Sequence, residues 1–249
     1  MIRRLLDRAL LAVYAVLWAG GIGVHCFGLA PKEARLGAPA FLLAAAALVL
    51  AHTPGVRTWL LGVGVAGFLV ELLGSHTGFP FGPYAYGSAL QPQLAGVPLV
   101  MSCAWIVLIA YVKSFETAMS SAGWVRVAAG AAMMVAIDLV IEPVAAGPLS
   151  YWSWRASGAY YGVPWQNFAG WFLTSAAMLA TGRNQRIASG QVQNVGLSIV
   201  VFFGLIGACQ NRWAAPAVAA VLALLHVLLG RRLRLAGPRS GASRPAATL

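Results

Sequence analysis

Eight runs of apolar residues follow one another along this chain of 249 residues. They lie at about 9–29, 37–52, 56–73, 97–113, 124–146, 164–181, 194–211 and 213–230. A helix needs about 20 apolar residues to cross a bilayer. Only 9% of the residues are charged, against about 25% in soluble domains. The sequence therefore predicts an all-α fold, a polytopic transmembrane helix bundle of about eight spans, with seven as the alternative count.

Basic residues are divided unequally between the two sides of this bundle. With eight spans and a cytoplasmic N-terminus, thirteen Lys and Arg residues fall inside and four fall outside. The inner set is Arg3, Arg4, Arg8, Arg57, Lys113, Arg126, Arg183, Arg186, Arg231, Arg232, Arg234, Arg239 and Arg244. The outer set is Lys32, Arg35, Arg155 and Arg212. By the positive-inside rule this division predicts cytoplasmic N- and C-termini.

The same charge distribution bears on partners and on domain organisation. The net charge is +11, but the bases lie between apolar runs and at the termini instead of forming one basic face, which argues against nucleic acid. Contact with anionic membrane lipids is the expected consequence. Residues 1–235 are predicted to form a single transmembrane domain. Residues 236–249 are predicted to form a disordered cytoplasmic tail.

The three cysteines, Cys26, Cys103 and Cys209, each lie in an apolar run and show no paired spacing. They are expected to be small core residues, neither a disulfide set nor a metal site. The first apolar run follows three arginines like the core of a signal peptide. It stays apolar to about residue 30 without a clear cleavage site, and is therefore expected to be a span.

Two acids in the fifth run carry the strongest functional signal. Asp138 and Glu142 are four residues apart, so they share a helix face. Acids inside a membrane are costly and are functional by default. Two adjacent carboxyls in a low-dielectric site cannot both ionise cheaply, so one should hold a proton beside the other's charge. The structural alternative is that Asp138 bonds a neighbouring helix while Glu142 satisfies backbone groups freed by a kink at Pro143.

Other polar residues are candidates for support. Glu71, near the end of the third run, is a third catalytic candidate, and its alternative is a hydrated carboxyl at the interface. His76 follows it and is a supporting candidate or a plain loop histidine. Arg155 either pairs with an acid or is a solvated interfacial charge. Gln166 and Asn167 open the sixth run, and one of them either bonds an acid or a water, or caps and packs its helix.

Aromatic residues cluster in and beside the loops 74–96 and 147–163, both predicted to be outer. They are Phe79, Phe81, Tyr84, Tyr86, Trp105, Tyr151, Trp152, Trp154, Tyr160, Tyr161, Trp165, Phe168 and Trp171. An aromatic belt at the membrane interface explains some of them. Their position in two acid-flanked loops also suits a pocket for a long apolar ligand, in which ring faces stabilise a cation.

A short internal echo links the two loop regions. Gly96-Val97-Pro98 precedes Trp105, and Gly162-Val163-Pro164 precedes Trp171, with the same spacing. Each unit contains an acid-bearing helix, an aromatic loop and a helix opened by proline. Chance similarity remains the alternative to a pseudo-twofold relation between the units.

Sequence signatures of nucleotide, haem, iron–sulfur and acyl-transfer sites do not occur in the chain, and no histidine or cysteine spacing suggests a metal. The remaining interpretations are acid–base chemistry on an apolar substrate, or transport.

Several motifs stand in order over residues 65–172. They are E-L-L-G-S-H-T-G-F-P-F-G-P-Y-A-Y (71–86), G-V-P (96–98) with Trp105, A-I-D-L-V-I-E-P-V-A (136–145), Y-W-S-W (151–154) and Y-Y-G-V-P-W-Q-N-F-A-G-W (160–171). In this combination the chain resembles the integral-membrane carotenoid hydratases, of the γ-carotene 1′-hydroxylase (1′,2′-hydratase) and bisanhydrobacterioruberin hydratase type. That family often has Asp-Pro where this chain has Glu142-Pro143, so Asp138 is the preferred acid of the two.

The resemblance implies addition of water across the terminal C1=C2 double bond of an acyclic carotenoid end, giving a tertiary alcohol without a cofactor or a metal. Asp138 or Glu142, with Glu71 as a further candidate, would protonate C2, and another carboxylate or Asn167 would hold the attacking water. The implied partners are a carotenoid in the bilayer and other carotenoid enzymes. The expected substrate-binding residues are Phe79, Phe81, Tyr84, Tyr86, Trp105, Trp152, Trp154, Tyr160, Tyr161, Asn167 and Trp171.

Three rival functions stay open from the sequence. A carotenoid cyclase or isomerase shares the protonation step. A proton-coupled transporter would use the three acids as a relay. A structural role in a pigment-synthesis complex is the third.

Overall fold

The structure is a computed structural model that describes residues 2–29, 36–118 and 123–235. Within these ranges it contains eight α-helices: α1 (Ile2–Phe27), α2 (Gly37–Ala51), α3 (Arg57–Thr77), α4 (Met101–Lys113), α5 (Gly123–Ala145), α6 (Trp165–Thr181), α7 (Gly190–Cys209) and α8 (Ala214–Leu235). Each predicted apolar run overlaps one of them, so the all-α prediction is confirmed. The predicted tail, Lys32 and Arg35 lie outside the described residues.

The helices differ in length, and this bears on the number of spans. Five of the described helices, α1, α3, α5, α7 and α8, are long and apolar enough to cross a membrane. The other three, α2, α4 and α6, have 15, 13 and 17 residues. At 1.5 Å per residue they reach about 20–26 Å, less than the roughly 30 Å of a hydrocarbon core. The multi-pass character is therefore supported, while the count of eight spans stays a prediction.

Contacts at both ends of the bundle show that α3 and α6 run antiparallel, while α1 and α7 run parallel. Trp59, at the start of α3, donates from Nε1 to Thr181 Oγ1 at the end of α6, over 3.0 Å. At the other end, Gln210 Nε2 after α7 donates to the His25 carbonyl near the end of α1, over 2.6 Å. The second end carries the aromatic loops 78–100 and 146–164 and is called the loop end below. The core of the bundle is formed by α4 and α5, which have the longest buried stretches.

The loop end contains two short antiparallel strand pairs. The strands are β1 (Tyr84–Tyr86), β2 (Gln93–Leu94), β3 (Val97–Pro98) and β4 (Trp152–Trp154). The first loop's β1 pairs antiparallel with β4 of the second loop, and β2 pairs with β3 as a hairpin. The loops thus fold onto the bundle and onto each other, which keeps their aromatic surface away from water.

The expectation for the cysteines is wrong for two of the three. Cys26 at the end of α1 is disulfide-bonded to Cys209 at the end of α7, with 5.3 Å between the Cα atoms, while Cys103 is a free thiol. The partners are 183 residues apart, so no local spacing signals the bond. It closes at the loop end because α1 and α7 run side by side.

Reduction of this bond is expected to lower the stability of the bundle. A bond that closes so long a loop contributes up to about 4 kcal/mol. The test is the thermal unfolding midpoint in detergent with and without a reductant. The midpoint should fall in wild type and in Cys103→Ser, and should not respond in Cys26→Ser. An unchanged midpoint for reduced wild type would contradict the prediction.

Candidate active site

The site begins with the pairing of the two aromatic loops. Tyr84 lies opposite Trp154 and Tyr86 lies opposite Trp152 across the β1–β4 ladder. Successive side chains of a strand point to opposite faces, so these four rings share one face of the ladder. That face lies on the ends of α3 and α5, where the buried acids are.

Glu71, on the last turns of α3, is held by three donors. The hydroxyls of Tyr84 and Tyr86 donate to Oε2 over 2.5 and 2.7 Å, and Trp105 Nε1 donates to Oε1 over 3.1 Å. Burial and the Glu71 carboxylate raise the pKa of Tyr86 well above its ordinary value, so this phenol remains a donor. Hydrogen bonds from three donors favour the ionised form of this carboxyl. The side chain is buried, in contrast to the expected alternative of a hydrated interfacial acid.

Trp105 reaches Glu71 because α3 and α4 approach closely at a glycine. A Cβ atom at Gly67 would lie 2.4 Å from Cγ and Cδ1 of the Trp105 ring. Gly67 is one turn before Glu71, so the missing side chain leaves room for the indole. The ring is only 1% exposed and stacks on Trp171 of α6, with 4.6 Å between centroids.

Glu142, near the end of α5, is held in a parallel way by the second loop. Trp152 and Trp154 donate from Nε1 to Oε2 over 3.2 and 3.0 Å. Asn167 Nδ2 lies 3.4 Å from Oε1. The carboxyl therefore bonds indoles and an amide, not backbone groups freed at Pro143, which was the structural alternative.

Asp138 lies one turn below Glu142 on α5 and is fully buried. Asn167 Nδ2 donates to its Oδ2 over 2.6 Å, so one amide of α6 bridges both acids. The other oxygen, Oδ1, is buried and has no partner in the described part of the chain. An unpartnered buried oxygen is costly, and more so on an ionised carboxylate than on a neutral carboxyl.

The two acid clusters face a small cavity between them. Its volume is about 20 Å³, enough for one water molecule. The lining residues are Glu71, Phe81, Tyr84, Tyr86, Met101, Glu142, Trp152, Trp154, Asn167 and Trp171. Asp138, the preferred acid from sequence, does not line it and lies behind Asn167. The carboxyls that face the cavity are Glu71 and Glu142.

The internal echo has a structural counterpart. Ala95 and Gly96 have φ angles of 50° and 80°, and Tyr161 and Gly162 have 50° and 83°. Both pairs are two-residue turns, closed by Leu94–Val97 pairing in one and by a Tyr160–Val163 bridge in the other. Two consecutive positive φ angles are typical of the type I′ hairpin. The repeated units thus share a turn conformation as well as a short sequence motif. Their equivalent residues Trp105 and Trp171 stack on each other.

Not every predicted site residue is brought to the cavity. Phe79 is 62% exposed and Tyr161 is 40% exposed. His76 is also exposed, and its Nδ1 lies 2.9 Å from the Leu72 carbonyl of its own helix. The Tyr160 hydroxyl donates to the Leu139 carbonyl over 2.6 Å, so this residue braces α5.

Arg155 does not pair with an acid. Its side chain is exposed, and the ion pairs found among the described residues are Asp7–His52 and Lys113–Glu116. It matches the alternative of a solvated interfacial charge.

Met101 lines the cavity and was missed by the sequence interpretation. It stands 66 residues before Asn167, the interval that also separates Trp105 from Trp171. Met101 and Asn167 therefore occupy equivalent positions in the two repeated units, and this equivalence was the signal that could have identified Met101. In the described ranges, no group of three or more His, Cys, Asp or Glu side chains is placed to hold a metal ion.

This fold and site define a polytopic membrane protein with paired carboxylates under an aromatic cap. Residues 37–229 match the family described as carotenoid biosynthesis protein, and the chain belongs to this family. The chain is also similar to bisanhydrobacterioruberin hydratase of Haloarcula japonica, with 30% identity over 172 residues. That alignment covers 61% of this chain and 56% of the relative, so the chain spans little more than half of the relative's length. No solved structure matches the chain.

Proposed function

We propose that this protein adds water across the terminal C1=C2 double bond of an acyclic carotenoid end group, giving a tertiary 1-hydroxy carotenoid. The observation that carries the proposal is the water-sized cavity between the carboxyls of Glu71 and Glu142. Family membership supports a carotenoid substrate, and the name of the similar haloarchaeal protein supports hydration.

The proposed reaction begins at Asp138 and Glu142, the two acids that the Asn167 amide bridges. The Asp138–Glu142 pair holds one proton and transfers it to C2, which leaves a tertiary cation at C1. The Glu71 carboxylate and the faces of the surrounding rings stabilise this cation. The cavity water then attacks C1 and releases a proton to a carboxylate. The protein ends with as many protons as it began, and the product is the substrate plus one water.

Stabilisation of the cation has to carry most of the catalysis, because an alkene is a poor base and a buried acid gives up its proton reluctantly. The fixed charge of Glu71 suits this task, since its three donors orient it before the reaction. A terminal isoprene unit is larger than the cavity of about 20 Å³, so side chains of the wall must move when it enters. No step of this scheme requires a cofactor.

We place the loop end on the non-cytoplasmic side, with both termini in the cytoplasm. The Cys26–Cys209 bond lies at the loop end, and disulfides persist in oxidising compartments. Arg155 and Arg212 lie at the loop end. The arginines at the opposite end include Arg4, Arg8, Arg57, Arg126, Arg183, Arg186, Arg231 and Arg232. The distribution of the arginines follows the positive-inside rule, and the position of the disulfide supports the same orientation. The proposed partners are the carotenoid within the bilayer, membrane lipids and other carotenoid enzymes.

Product analysis tests the proposal. The protein would be expressed in a host that accumulates a carotenoid with acyclic ends. The pigments would be separated and their masses measured by mass spectrometry. We expect a more polar product that is heavier by one water. A less polar isomer of unchanged mass would establish a cyclase instead. Absence of any new pigment together with proton uptake into vesicles would establish a transporter and refute hydration.

A further inference from the structure

A groove between α1 and α7 lies away from the acid site. The two helices meet where the Tyr14 hydroxyl hydrogen-bonds Ser198 Oγ over 2.7 Å. Toward the end opposite the loops they leave a groove of about 350 Å³, within the size range of ligand sites. Its lining residues are Leu11, Tyr14, Ala15, Trp18, Gln191, Asn194, Val195 and Ser198. Little of α1 is buried, so the groove lies at the periphery of the bundle, where it meets lipid.

The α7 side of the groove carries two side-chain amides. Gln191 and Asn194 line it, and neither side chain has a hydrogen-bond partner among the described residues. The facing wall is apolar, with Leu11 and Trp18 on α1. Gln191 is half-buried and Asn194 is exposed, so both amides are accessible to a ligand in the groove. A ligand with hydrogen-bond acceptors next to an apolar chain would complement both walls of the groove.

The α1 side of the groove continues into basic residues. Arg4 and Arg8 precede Leu11 by seven and three residues, which places them on the same helix face, about 10 and 4.5 Å further along the axis. Both are exposed. The nearby acid Asp7 contacts His52, with 3.4 Å between Oδ1 and Nε2. Neither arginine has a carboxylate partner in the described ranges, so the mouth of the groove carries two arginine charges against the one carboxylate of Asp7.

We propose that this groove binds one anionic glycerophospholipid. The phosphate lies against Arg4 and Arg8, the ester carbonyls accept from Gln191 and Asn194, and one acyl chain follows Leu11 toward Trp18. Basic pockets between membrane helices bind anionic lipid headgroups in this manner. The groove shares no residue with the acid site, so this proposal stands or falls separately from hydration.

Native mass spectrometry of the full chain in neutral detergent tests the site. Phosphatidylglycerol and phosphatidylcholine with identical acyl chains are the probes. We expect one retained phosphatidylglycerol and clearly weaker retention of phosphatidylcholine. Removing each arginine, in R4Q and R8Q, should weaken phosphatidylglycerol retention about fivefold. Replacing both amides, in Q191L/N194L, should weaken both lipids alike, because the ester carbonyls are common to them.

The matched control is R231Q/R232Q, which removes two exposed arginines at the end of α8 and should keep the lipid preference. All variants are compared only as monodisperse samples, and R8Q alone carries the arginine test if R4Q aggregates. Equal retention of the two lipids overturns the proposal. So does an equal loss in R231Q/R232Q, which would indicate surface charge alone. A lipid-independent dimer that R8Q dissociates would assign the groove to a second copy of the chain.

Discussion

Glu142→Gln is expected to abolish formation of the hydrated carotenoid while leaving the protein in the membrane. The carboxyl lies on the cavity wall and, in the proposed scheme, belongs to the pair that supplies the proton. Loss of a general acid lowers rates by about 10² to 10⁴-fold. The amide of glutamine keeps the length of the side chain and can still accept from one indole, so folding should survive. Product yield per amount of membrane-inserted protein is the measurement.

Asp138→Asn tests the other member of the same pair and should give a loss of similar size. The amide bridge from Asn167 can still reach the side-chain oxygen, but the proton that the two acids share is gone. Removing both acids together should cost little more than removing either, because groups that act as a unit are not additive. Full activity in both single variants would refute the proton-sharing pair.

Asp7→Asn is the matched control for these variants. Asp7 is an acid on α1 that contacts His52 at the end opposite the loops. It does not line the cavity. Normal yield is expected from this variant. A loss equal to that of Asp138→Asn would show that removal of any helix acid impairs the protein.

Glu71→Gln is expected to reduce both activity and stability. The amide group of glutamine brings N–H donors against a site where three donors already converge, so at least one of Tyr84, Tyr86 and Trp105 loses its acceptor. A buried hydrogen bond to a charged group is worth about 1.5–3 kcal/mol. Loss of the fixed negative charge also removes stabilisation of the cation at C1. We expect product yield to fall by about 10²-fold or more, in the range seen when a single preorganised stabilising group is removed.

Tyr86→Phe separates the two effects of Glu71. It removes one donor and retains the carboxylate, so a smaller fall in the unfolding midpoint and a partial loss of yield are expected. Thermal unfolding in detergent and product yield would be measured on the same preparations. If Tyr86→Phe lost as much yield as Glu71→Gln, positioning of the carboxylate, rather than its charge, would be what the reaction needs.

Much of the site was visible in the sequence because its parts are local. Asp138 and Glu142 share a helix face by spacing alone, and an acid in an apolar run is exceptional wherever the run packs. The two aromatic loops were recognisable by composition, and Asn167 was identified by its place at the start of an apolar run. These inferences need only the periodicity of a helix and the cost of polar groups in lipid.

Other features depend on contacts that no local pattern encodes. His76 and Arg155 lie near the acids in sequence but are not brought to the cavity. His76 lies on the exposed face of α3, and Arg155 is exposed directly after β4. The tryptophans were predicted as substrate-facing rings, yet Trp152 and Trp154 also hold Glu142 by their indole N–H groups. Such donor assignments follow from the register of β1 on β4, which the loops set only when they dock.

By itself the sequence determined an all-α membrane bundle, the positions of its helices and the three acids on which the chemistry is proposed to depend. Hydropathy and helical spacing are short-range properties, so they can be read without a structure. Only the tertiary structure decided that Glu71 and Glu142 face one water-sized cavity, that Asp138 stands behind Asn167, and that Cys26 bonds Cys209. Each of these is a meeting of residues far apart in the chain, and such meetings depend on how whole helices and loops pack.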